Sequence, residues 1–251
     1  MSGKLAEKIA VITGGSSGIG LAIAKEFVAE GAYVFITGRR AVELKKAADE
    51  IGRNVTPVQG DVSSLEDLEK LYDLVEREKG RVDVIVANAA VGGLAPPGAA
   101  ASPEHFDRVF NVNTRGVFFT VQKAVKLLSP GASIVLTASN AHYLGIPGFA
   151  PYSASKAAVR SFARTWAAEF KDRGIRVNTL SPGPIDTPIM GTSGLTQDEV
   201  ETFMQHIVTT VPLGRMGLPG EMAKAALFLA SSDSSFITGI DLVADGGMTQ
   251  I

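Results

Sequence analysis

The chain has 251 residues, of which 45% are hydrophobic, so we expect one domain, residues 1–251. Its formal net charge of −2 predicts no basic surface for nucleic acid. The absence of cysteine excludes disulfides and thiolate metal sites, and three scattered histidines do not form a metal-ligand set. No apolar run reaches the ~18 residues of a membrane span and the N-terminus lacks a signal-peptide core, so a cytoplasmic protein without a bound metal is expected.

The first predicted strand, residues 9–13, leads into a glycine-rich loop and then a helix that ends at Gly31. This order is the local context of a dinucleotide-binding fingerprint, because glycines let the backbone approach a pyrophosphate at a helix N-terminus. The alternative is a structural turn without a ligand. The residues expected to contact a coenzyme here are Gly14, Ser16, Ser17, Gly18, Ile19 and Gly20.

Three more strands are predicted at residues 33–37, 55–59 and 82–86. Ser63 with Glu66 fits a capping box that opens the helix after the third strand. Each of these strands is followed by residues placed to reach a ligand, namely Arg39 and Arg40, then Asp61 and Val62, then Asn88 and Ala89.

The second half of the chain continues the alternation of strands and helices. After a loop at residues 91–101, a long helix is predicted at 103–128, a strand at 134–137 and the helix containing Tyr152 up to about 170. A strand at 175–179, a helix at 219–230 and a strand at 239–243 complete the pattern. It predicts an α/β fold with a doubly wound, Rossmann-like parallel sheet of about seven strands and helices on both faces. Because ligands bind beyond the carboxyl ends of such strands, the residues that follow them should cluster along one edge.

Tyr152 and Lys156 are four residues apart in a predicted helix, so they lie one turn apart on the same face. A neighbouring cation lowers the pKa of a tyrosine, which is about 10 in water. A tyrosine tuned in this way can exchange a proton with a substrate oxygen. Ser139, at the end of the preceding strand, can hydrogen-bond the same oxygen. For the pair alone, the alternative is a solvated helix face.

These residues resemble the short-chain dehydrogenase/reductase family, in the branch whose members have about the length of this chain. The stretch Thr13-Gly-x-x-x-Gly-Ile-Gly20 matches the family's coenzyme loop, and the resemblance extends over nearly the whole chain. Asn113 matches its catalytic asparagine, and Ser139, Tyr152 and Lys156 match the other active-site residues. Further matches are Asp61-Val62, Pro182-Gly183 and Asp245-Gly246-Gly247.

The resemblance implies hydride transfer between a nicotinamide coenzyme and a carbonyl or alcohol. Tyr152 would be the general acid in reduction, Ser139 would polarise the carbonyl, and Lys156 would lower the tyrosine pKa and hold the nicotinamide ribose. Asn113 would bend its helix and hold a water that joins Lys156 to solvent. The coenzyme site would be completed by Tyr152 and Lys156 themselves, by Pro182 and Gly183, and by Ile185 and Thr187 facing the carboxamide.

The segment after the fourth strand departs from the family pattern. The family usually has Asn-Asn-Ala-Gly there, and this chain has Ala87-Asn88-Ala89-Ala90. That motif mainly supports the sheet and the floor of the coenzyme site. The change is therefore expected to alter local packing and to leave the chemistry intact.

The end of the second strand predicts the choice of coenzyme. NAD-preferring sites usually place an acid there, which accepts hydrogen bonds from the ribose hydroxyls. This chain has Gly38 followed by Arg39 and Arg40, and its next acid is Glu43 inside the following helix. Guanidinium groups attract a 2′-phosphate, so NADP(H) is expected to be preferred, with NAD(H) as the other coenzyme. The alternative is two solvated arginines.

Three functions remain open for such a site. The first is an NADPH-dependent carbonyl reductase or alcohol dehydrogenase that acts on a small-molecule ketone or secondary alcohol. The second is a 3-oxoacyl carrier-protein reductase. The third is a non-catalytic nucleotide-binding regulator, since a fold does not fix a function, although a regulator would not need the set Asn113, Ser139, Tyr152 and Lys156.

Residues 187–213 are expected, from the resemblance, to form a lid over the substrate. Thr196 with Glu199 fits a capping box for a short helix with an apolar stripe at Phe203, Ile207 and Val211. The alternative is an ordinary surface helix. His142 and Tyr143, which follow Ser139, are interpreted as exposed loop residues, with a place in the substrate pocket as the alternative.

Two predicted helices carry apolar residues on more than one side, which indicates burial on two sides. In the resembled family these helices pair across two-fold axes, so a homotetramer is expected. The residues are Val112, Val117, Phe118, Phe119 and Val121 in the first helix, and Ala154, Ala158, Phe162 and Trp166 in the second.

Overall fold

The computed structural model describes residues 3–92, 101–188 and 207–251. Within them, seven parallel strands form one sheet in the order β3-β2-β1-β4-β5-β6-β7, which confirms the predicted doubly wound α/β class. The strands are β1 (Ile9–Thr13), β2 (Tyr33–Gly38), β3 (Val55–Gln59), β4 (Val82–Ala87), β5 (Leu128–Thr137), β6 (Arg176–Pro182) and β7 (Asp241–Ala244).

Helices cover both faces of this sheet. On one face α1 and α7 pack together beside α2, and on the other α3, α5 and α6 pack against the strands. The helices are α1 (Gly18–Ala29), α2 (Ala41–Ile51), α3 (Leu65–Lys79), α4 (Pro103–Phe110), α5 (Val117–Ala124), α6 (Ala150–Glu169) and α7 (Pro219–Ala230).

The apolar content of the central strands follows from this double cover. Every residue of β1 and β4 is buried, as expected for strands that face a helix layer on each side. Val11 belongs to one core and Ile12 to the other, because successive side chains of a strand point to opposite faces. The edge strand β3 is only partly buried and contains Pro57, which an edge position tolerates.

The helix predicted at 103–128 is shorter than expected and is interrupted. A π-helical turn, Asn111–Gly116, separates α4 from α5, and α5 ends at Ala124. Strand β5 begins at Leu128, which pairs with Val82, while Ser133 pairs with Val84. The register shift between these pairs accommodates the extra residues of β5, so pairing with β4 extends the strand beyond the apolar run that predicted it.

Side-chain capping differs by one residue from the sequence prediction at α3. Ser64, not Ser63, is the N-cap, and its hydroxyl accepts a hydrogen bond from the Asp67 N–H at 3.3 Å. Ser63 instead donates its hydroxyl to the Asp61 carboxylate at 2.7 Å. The capping box of Ser63 and Glu66 was therefore wrong, because the helix begins at Leu65 and Ser64 holds the N-cap position.

Most of the predicted lid cannot be compared with the structure. Thr196, Glu199 and Phe203 of its predicted helix lie outside the described residues, whereas residues 207–210 are helical and Val211 is buried. Across the three described segments, no helix combines the length and the apolar character needed to cross a membrane.

Candidate active site

A cavity of about 460 Å³ lies at the carboxyl ends of the strands. Residues that follow β1 to β6 meet there, as the alternation of strands and helices predicted. The predicted coenzyme residues that line it are Gly14, Ser16, Ser17, Gly18, Ile19, Arg39, Arg40, Asp61, Val62, Asn88, Ala89, Tyr152, Lys156, Pro182, Gly183, Ile185 and Thr187.

The glycine loop lies tightly against the end of β4. Gly14 has a left-handed backbone with φ of 67°, and a Cβ there would come within 2.8 Å of the Ala89 Cα. Gly20 packs behind the lining, since a Cβ on it would lie 2.2 Å from the Gly14 carbonyl oxygen. Side chains at these positions would displace the loop, so the glycines fit a cradle for a group that the backbone approaches closely.

The N-terminus of α1 supplies the charge that such a cradle needs. Ser17, its N-cap residue, makes no side-chain capping hydrogen bond, and the first turn contains no acidic residue. The positive end of the helix dipole therefore remains available at the cavity wall. This arrangement fits the pyrophosphate of a dinucleotide coenzyme.

Asn88 and Thr13 join the ends of β4 and β1. The Thr13 hydroxyl accepts hydrogen bonds from the N–H groups of Asn88 and Ala89, at 3.0 and 3.1 Å. The Asn88 amide donates to the Thr13 carbonyl at 3.2 Å. These contacts hold the cavity floor, and Ala87 is buried in the core beside them. The sequence placed Thr13 in the loop motif but gave no sign of this supporting role.

At the end of β2, two arginines border the cavity and no carboxylate belongs to the strand. The Arg39 guanidinium lies 3.8 Å from the Asp61 carboxylate across the β2–β3 boundary, with the arginine side chain 61% exposed. An exposed ion pair contributes at most about 1 kcal/mol. Arg39 can therefore exchange this partner for a more highly charged anion at little cost.

Lys156 is buried beneath Tyr152 on α6. Its ammonium donates a hydrogen bond to the Thr137 carbonyl at 2.8 Å and lies 5.7 Å from the centre of the Tyr152 ring. The side chain is 1% exposed, and burial lowers the pKa of Lys156 to about 8. The helical spacing of four residues thus places both groups at one end of the cavity.

The environment of Tyr152 differs from the expectation in one respect. Burial raises the pKa of its phenol, and a hydrogen bond with the Ser139 hydroxyl opposes that rise. The expected lowering by Lys156 is not observed, because desolvation dominates and the ammonium is directed at Thr137. In the free chain the phenol therefore remains protonated, as a general acid must be.

Asn113 lies in the π-helical turn and is fully buried. Its amide oxygen accepts from the Val91 N–H at 2.9 Å, and its amide nitrogen donates to the Val91 carbonyl at 3.1 Å. It also contacts the Ser155 hydroxyl, 3.4 Å away, which donates to the Tyr152 carbonyl at 2.6 Å. The side chain thus supports the cavity wall through Val91 and Ser155, and the predicted bound water stays a prediction.

The far end of the cavity contains residues that the sequence reasoning missed. The Asn140 amide lies 3.4 Å from both the Asp245 carboxylate and the Met248 sulfur, which fixes the C-terminal segment beside the cavity. The Asp245-Gly246-Gly247 motif was a signal for this segment, whereas nothing local marked Met248. Further lining residues that the sequence did not mark include Val91, Arg108, Ile146, Phe149 and Met248.

His142 and Tyr143 differ from each other in exposure. Tyr143 is 55% exposed, as expected for a loop residue, but the His142 side chain is only 6% exposed. The interpretation of His142 as an exposed residue was therefore wrong, because its ring packs against Asp241. Neither residue lines the cavity. Within the described residues no cluster of side chains could hold a metal ion.

A doubly wound sheet with a glycine loop and a Ser–Tyr–Lys set at the same edge defines a nicotinamide-dependent oxidoreductase. The protein-family profile described as Enoyl-(Acyl carrier protein) reductase matches residues 14–249. The chain belongs to the short-chain dehydrogenase/reductase family.

Two curated relatives match over nearly their whole length. The chain is 46% identical to oxidoreductase asL5 of Sarocladium schorii, covering 99% of this chain and 98% of that protein. It is 38% identical to the NADP-dependent (R)-specific alcohol dehydrogenase of Lentilactobacillus kefiri, covering 99% of each. The chain is thus an NAD(P)-dependent oxidoreductase that acts on CH–OH groups.

Two crystal structures from Brucella melitensis share the fold. A short-chain dehydrogenase/reductase described as glucose/ribitol dehydrogenase superposes with a TM-score of 0.92 at 33% identity, covering 100% of both chains. A 3-ketoacyl-(acyl-carrier-protein) reductase complexed with NADH gives a TM-score of 0.90 at 32% identity, covering 98% of this chain and 99% of that one.

Proposed function

We propose that the protein is an NADPH-dependent carbonyl reductase that converts ketones to secondary alcohols and catalyses the reverse oxidation. The observation that carries this proposal is the placement of Ser139, Tyr152 and Lys156 at one end of a cavity that also contains the glycine loop. A nicotinamide coenzyme bound along the cavity would supply the hydride, and the protein would supply position and the proton.

Tyr152 is the general acid in this proposal. Burial keeps its phenol protonated, so the proton is available for the carbonyl oxygen of the substrate. The Ser139 hydroxyl, which bonds the phenol, orients the same oxygen. Lys156, whose pKa is about 8, holds the ribose and stabilises the tyrosinate that remains.

NADP(H) is the preferred coenzyme in this proposal. Gly38 leaves no carboxylate at the end of β2, and Arg39 and Arg40 line the cavity there. A carboxylate would repel a 2′-phosphate, whereas guanidinium groups bind it with planar sets of donors. The name of the Lentilactobacillus relative states NADP dependence, and the Brucella reductase was crystallised with NADH. The preference therefore rests on the residues of this chain.

A second candidate is a 3-oxoacyl carrier-protein reductase. The family profile and one Brucella structure both carry carrier-protein names, which favours a test of this activity. A non-catalytic regulator is the third candidate. It is disfavoured because the complete set Asn113, Ser139, Tyr152 and Lys156 serves no purpose in binding alone.

The proposal also includes a cytoplasmic protein in which residues 1–251 act as one domain. Residues 187–213 would close over the substrate as a lid. The apolar side chains of Ile146, Phe149 and Met248 in the cavity lining support a small-molecule substrate with an apolar portion.

A substrate panel tests these candidates. Ketones, keto-esters and 3-oxoacyl thioesters, the last both free and linked to carrier protein, would be offered with NADPH and NADH while coenzyme absorbance is followed. Turnover of free ketones is expected. A far higher kcat/KM for carrier-linked thioesters would favour the second candidate. Coenzyme binding without turnover of any substrate would favour the regulator.

A further inference from the structure

His142 lies three residues after Ser139 in a short 3₁₀ helix, Asn140–His142. The Ser139 hydroxyl caps this helix by accepting a hydrogen bond from the Ala141 N–H at 3.2 Å. The ring of His142 is outside the cavity lining and its side chain is 6% exposed. Because the ring is buried and polar, its nitrogen atoms need polar groups to contact.

The ring bridges the serine segment and the last strand of the sheet. Its Nδ1 makes a close hydrogen bond with the Ser139 main-chain carbonyl. Its Nε2 lies 3.4 Å from the Asp241 carboxylate at the start of β7. The side chain of Asp241 is 4% exposed, so both partners of this contact are shielded from solvent.

The contact with Ser139 places one proton on the ring. A carbonyl oxygen only accepts, so Nδ1 must carry a proton to make the bond to Ser139. Nε2 faces the Asp241 carboxylate at 3.4 Å without meeting the geometry of a hydrogen bond.

Asp241 is held in its charged form by its other contacts. Its carboxylate accepts from the hydroxyls of Thr179 and Ser181, each at 2.7 Å, and from the Tyr143 hydroxyl at 2.9 Å. Burial opposes ionisation, but the adjacent His142 ring and these hydrogen bonds lower the pKa of Asp241 to about 2.

Two further groups contribute to the surroundings of the ring. The Tyr143 ring lies 4.0 Å from the His142 ring, centre to centre. Arg160 of α6 faces the Tyr143 hydroxyl. Among the described residues, the charged groups near His142 include the Asp241 carboxylate in direct contact and the Arg160 guanidinium beyond Tyr143.

We propose that His142 is a positioning residue: its ring bonds the Ser139 main chain, packs against Asp241 and so holds the Ser139 hydroxyl against Tyr152. This inference rests on the proposed reductase function. Ser139 lies beyond the end of β5, and the bridge to β7 fixes it to the sheet. Loss of the bridge allows the serine segment to shift, and a shift of about 1 Å can cost on the order of 10²-fold in rate.

His142→Phe removes both ring nitrogens and keeps an aromatic side chain. We expect kcat for a ketone to fall about ten- to hundredfold, while KM and the coenzyme Kd change less than about threefold. His142→Asn, which retains an amide donor for Ser139, should recover part of kcat. His105→Phe, in α4 and outside the cavity lining, is the matched control and should keep wild-type kcat.

A double-mutant cycle tests the Asp241 contact. If the two residues act as a pair, the double variant His142→Phe with Asp241→Asn lowers kcat no further than the more damaging single variant does. Additive losses, or a His142→Phe variant with kcat within about twofold of wild type, overturn the inference. Wild-type turnover of ketones, measured first, shows separately whether the proposed function holds.

Ring ¹⁵N NMR on the wild-type protein provides a readout that is independent of turnover. The chain has three histidines, so the His142 signals are identified by their loss in His142→Asn or His142→Phe. We expect the Nδ1 of the wild-type His142 ring to carry the proton that bonds the Ser139 carbonyl. A bare Nδ1 would refute the proposal.

Discussion

The ammonium group of Lys156 donates a hydrogen bond to the main-chain carbonyl of Thr137, 2.8 Å away at the carboxyl end of β5. This carbonyl replaces only part of the hydration that the lysine loses on burial, so the pKa of Lys156 falls to about 8. The fold therefore buries the Lys156 ammonium next to Tyr152, where the proposed reaction needs a positive charge.

The first prediction concerns stability. Between pH 8 and 10.5 the unfolded chain holds a proton on Lys156 that the folded chain has lost, so wild-type stability rises with pH in this window. The burial of this charge costs about 3 kcal/mol below pH 8, and Lys156→Met removes that cost. The excess stability of the variant should therefore be largest below pH 8 and shrink toward pH 10.5.

Urea unfolding of wild type and Lys156→Met across this pH range measures the difference. Lys46→Met is the control, because Lys46 is exposed on α2 and its replacement leaves the buried Lys156 in place. A constant difference for Lys156→Met would contradict the prediction.

The second prediction is catalytic. Tyr152→Phe removes the phenolic proton and leaves the ring, so turnover should fall by ~10²–10⁴-fold. Coenzyme affinity measured by fluorescence titration should be retained. Tyr33→Phe is the control, since Tyr33 bonds Thr56 at the opposite end of the strands. A Tyr152→Phe enzyme with more than about a tenth of wild-type turnover would show that another group donates the proton.

The third prediction concerns coenzyme choice. A hydrogen bond to a charged group contributes ~1.5–3 kcal/mol, so NADPH should exceed NADH by at least about tenfold in kcat/KM. Gly38→Asp with Arg39→Ala should reverse the preference. A Cβ at Gly38 would lie 3.0 Å from the Ser16 hydroxyl oxygen, which can rotate away.

Arg53→Ala is the control for this pair, because Arg53 lies exposed beyond the other end of α2 and does not line the cavity. Wild-type kcat/KM that is equal or higher with NADH would refute the proposed preference. Asp61 and the adenine pocket would then be the main anchors of the coenzyme.

The fourth prediction is quaternary. Phe118 on α5 is 36% exposed and lies 5.6 Å from Phe162 and 5.7 Å from Trp166 on α6, between ring centres. An aromatic surface of this kind favours burial against another copy of the chain. Light scattering at micromolar concentration should give four times the monomer mass of 26.3 kDa.

Phe118→Asp should lower that mass. Phe236→Asp is the matched control, because Phe236 is fully exposed and lies outside α5 and α6. A wild-type mass equal to that of one chain would exclude the tetramer.

Local sequence determined the elements whose signals are contained within a few residues. The bounds of β1, β3 and α7 agree with the predicted ones, because apolar runs and the proline at the start of α7 specify them directly. The spacing of Tyr152 and Lys156 placed both groups at the cavity by helix geometry alone. The glycine loop was recognisable because its conformation needs residues without a Cβ.

Tertiary structure decided what depends on distant partners. Pairing with β4 set the start of β5, and Ser64 caps α3 in place of Ser63 because the helix begins one residue later than predicted. The pKa of Tyr152 rose instead of falling, because desolvation depends on everything packed around the phenol. His142 appeared to be an ordinary loop residue until the fold placed Asp241 beside it. Burial and charge pairing between remote segments are properties of the packed chain, and no local pattern encodes them.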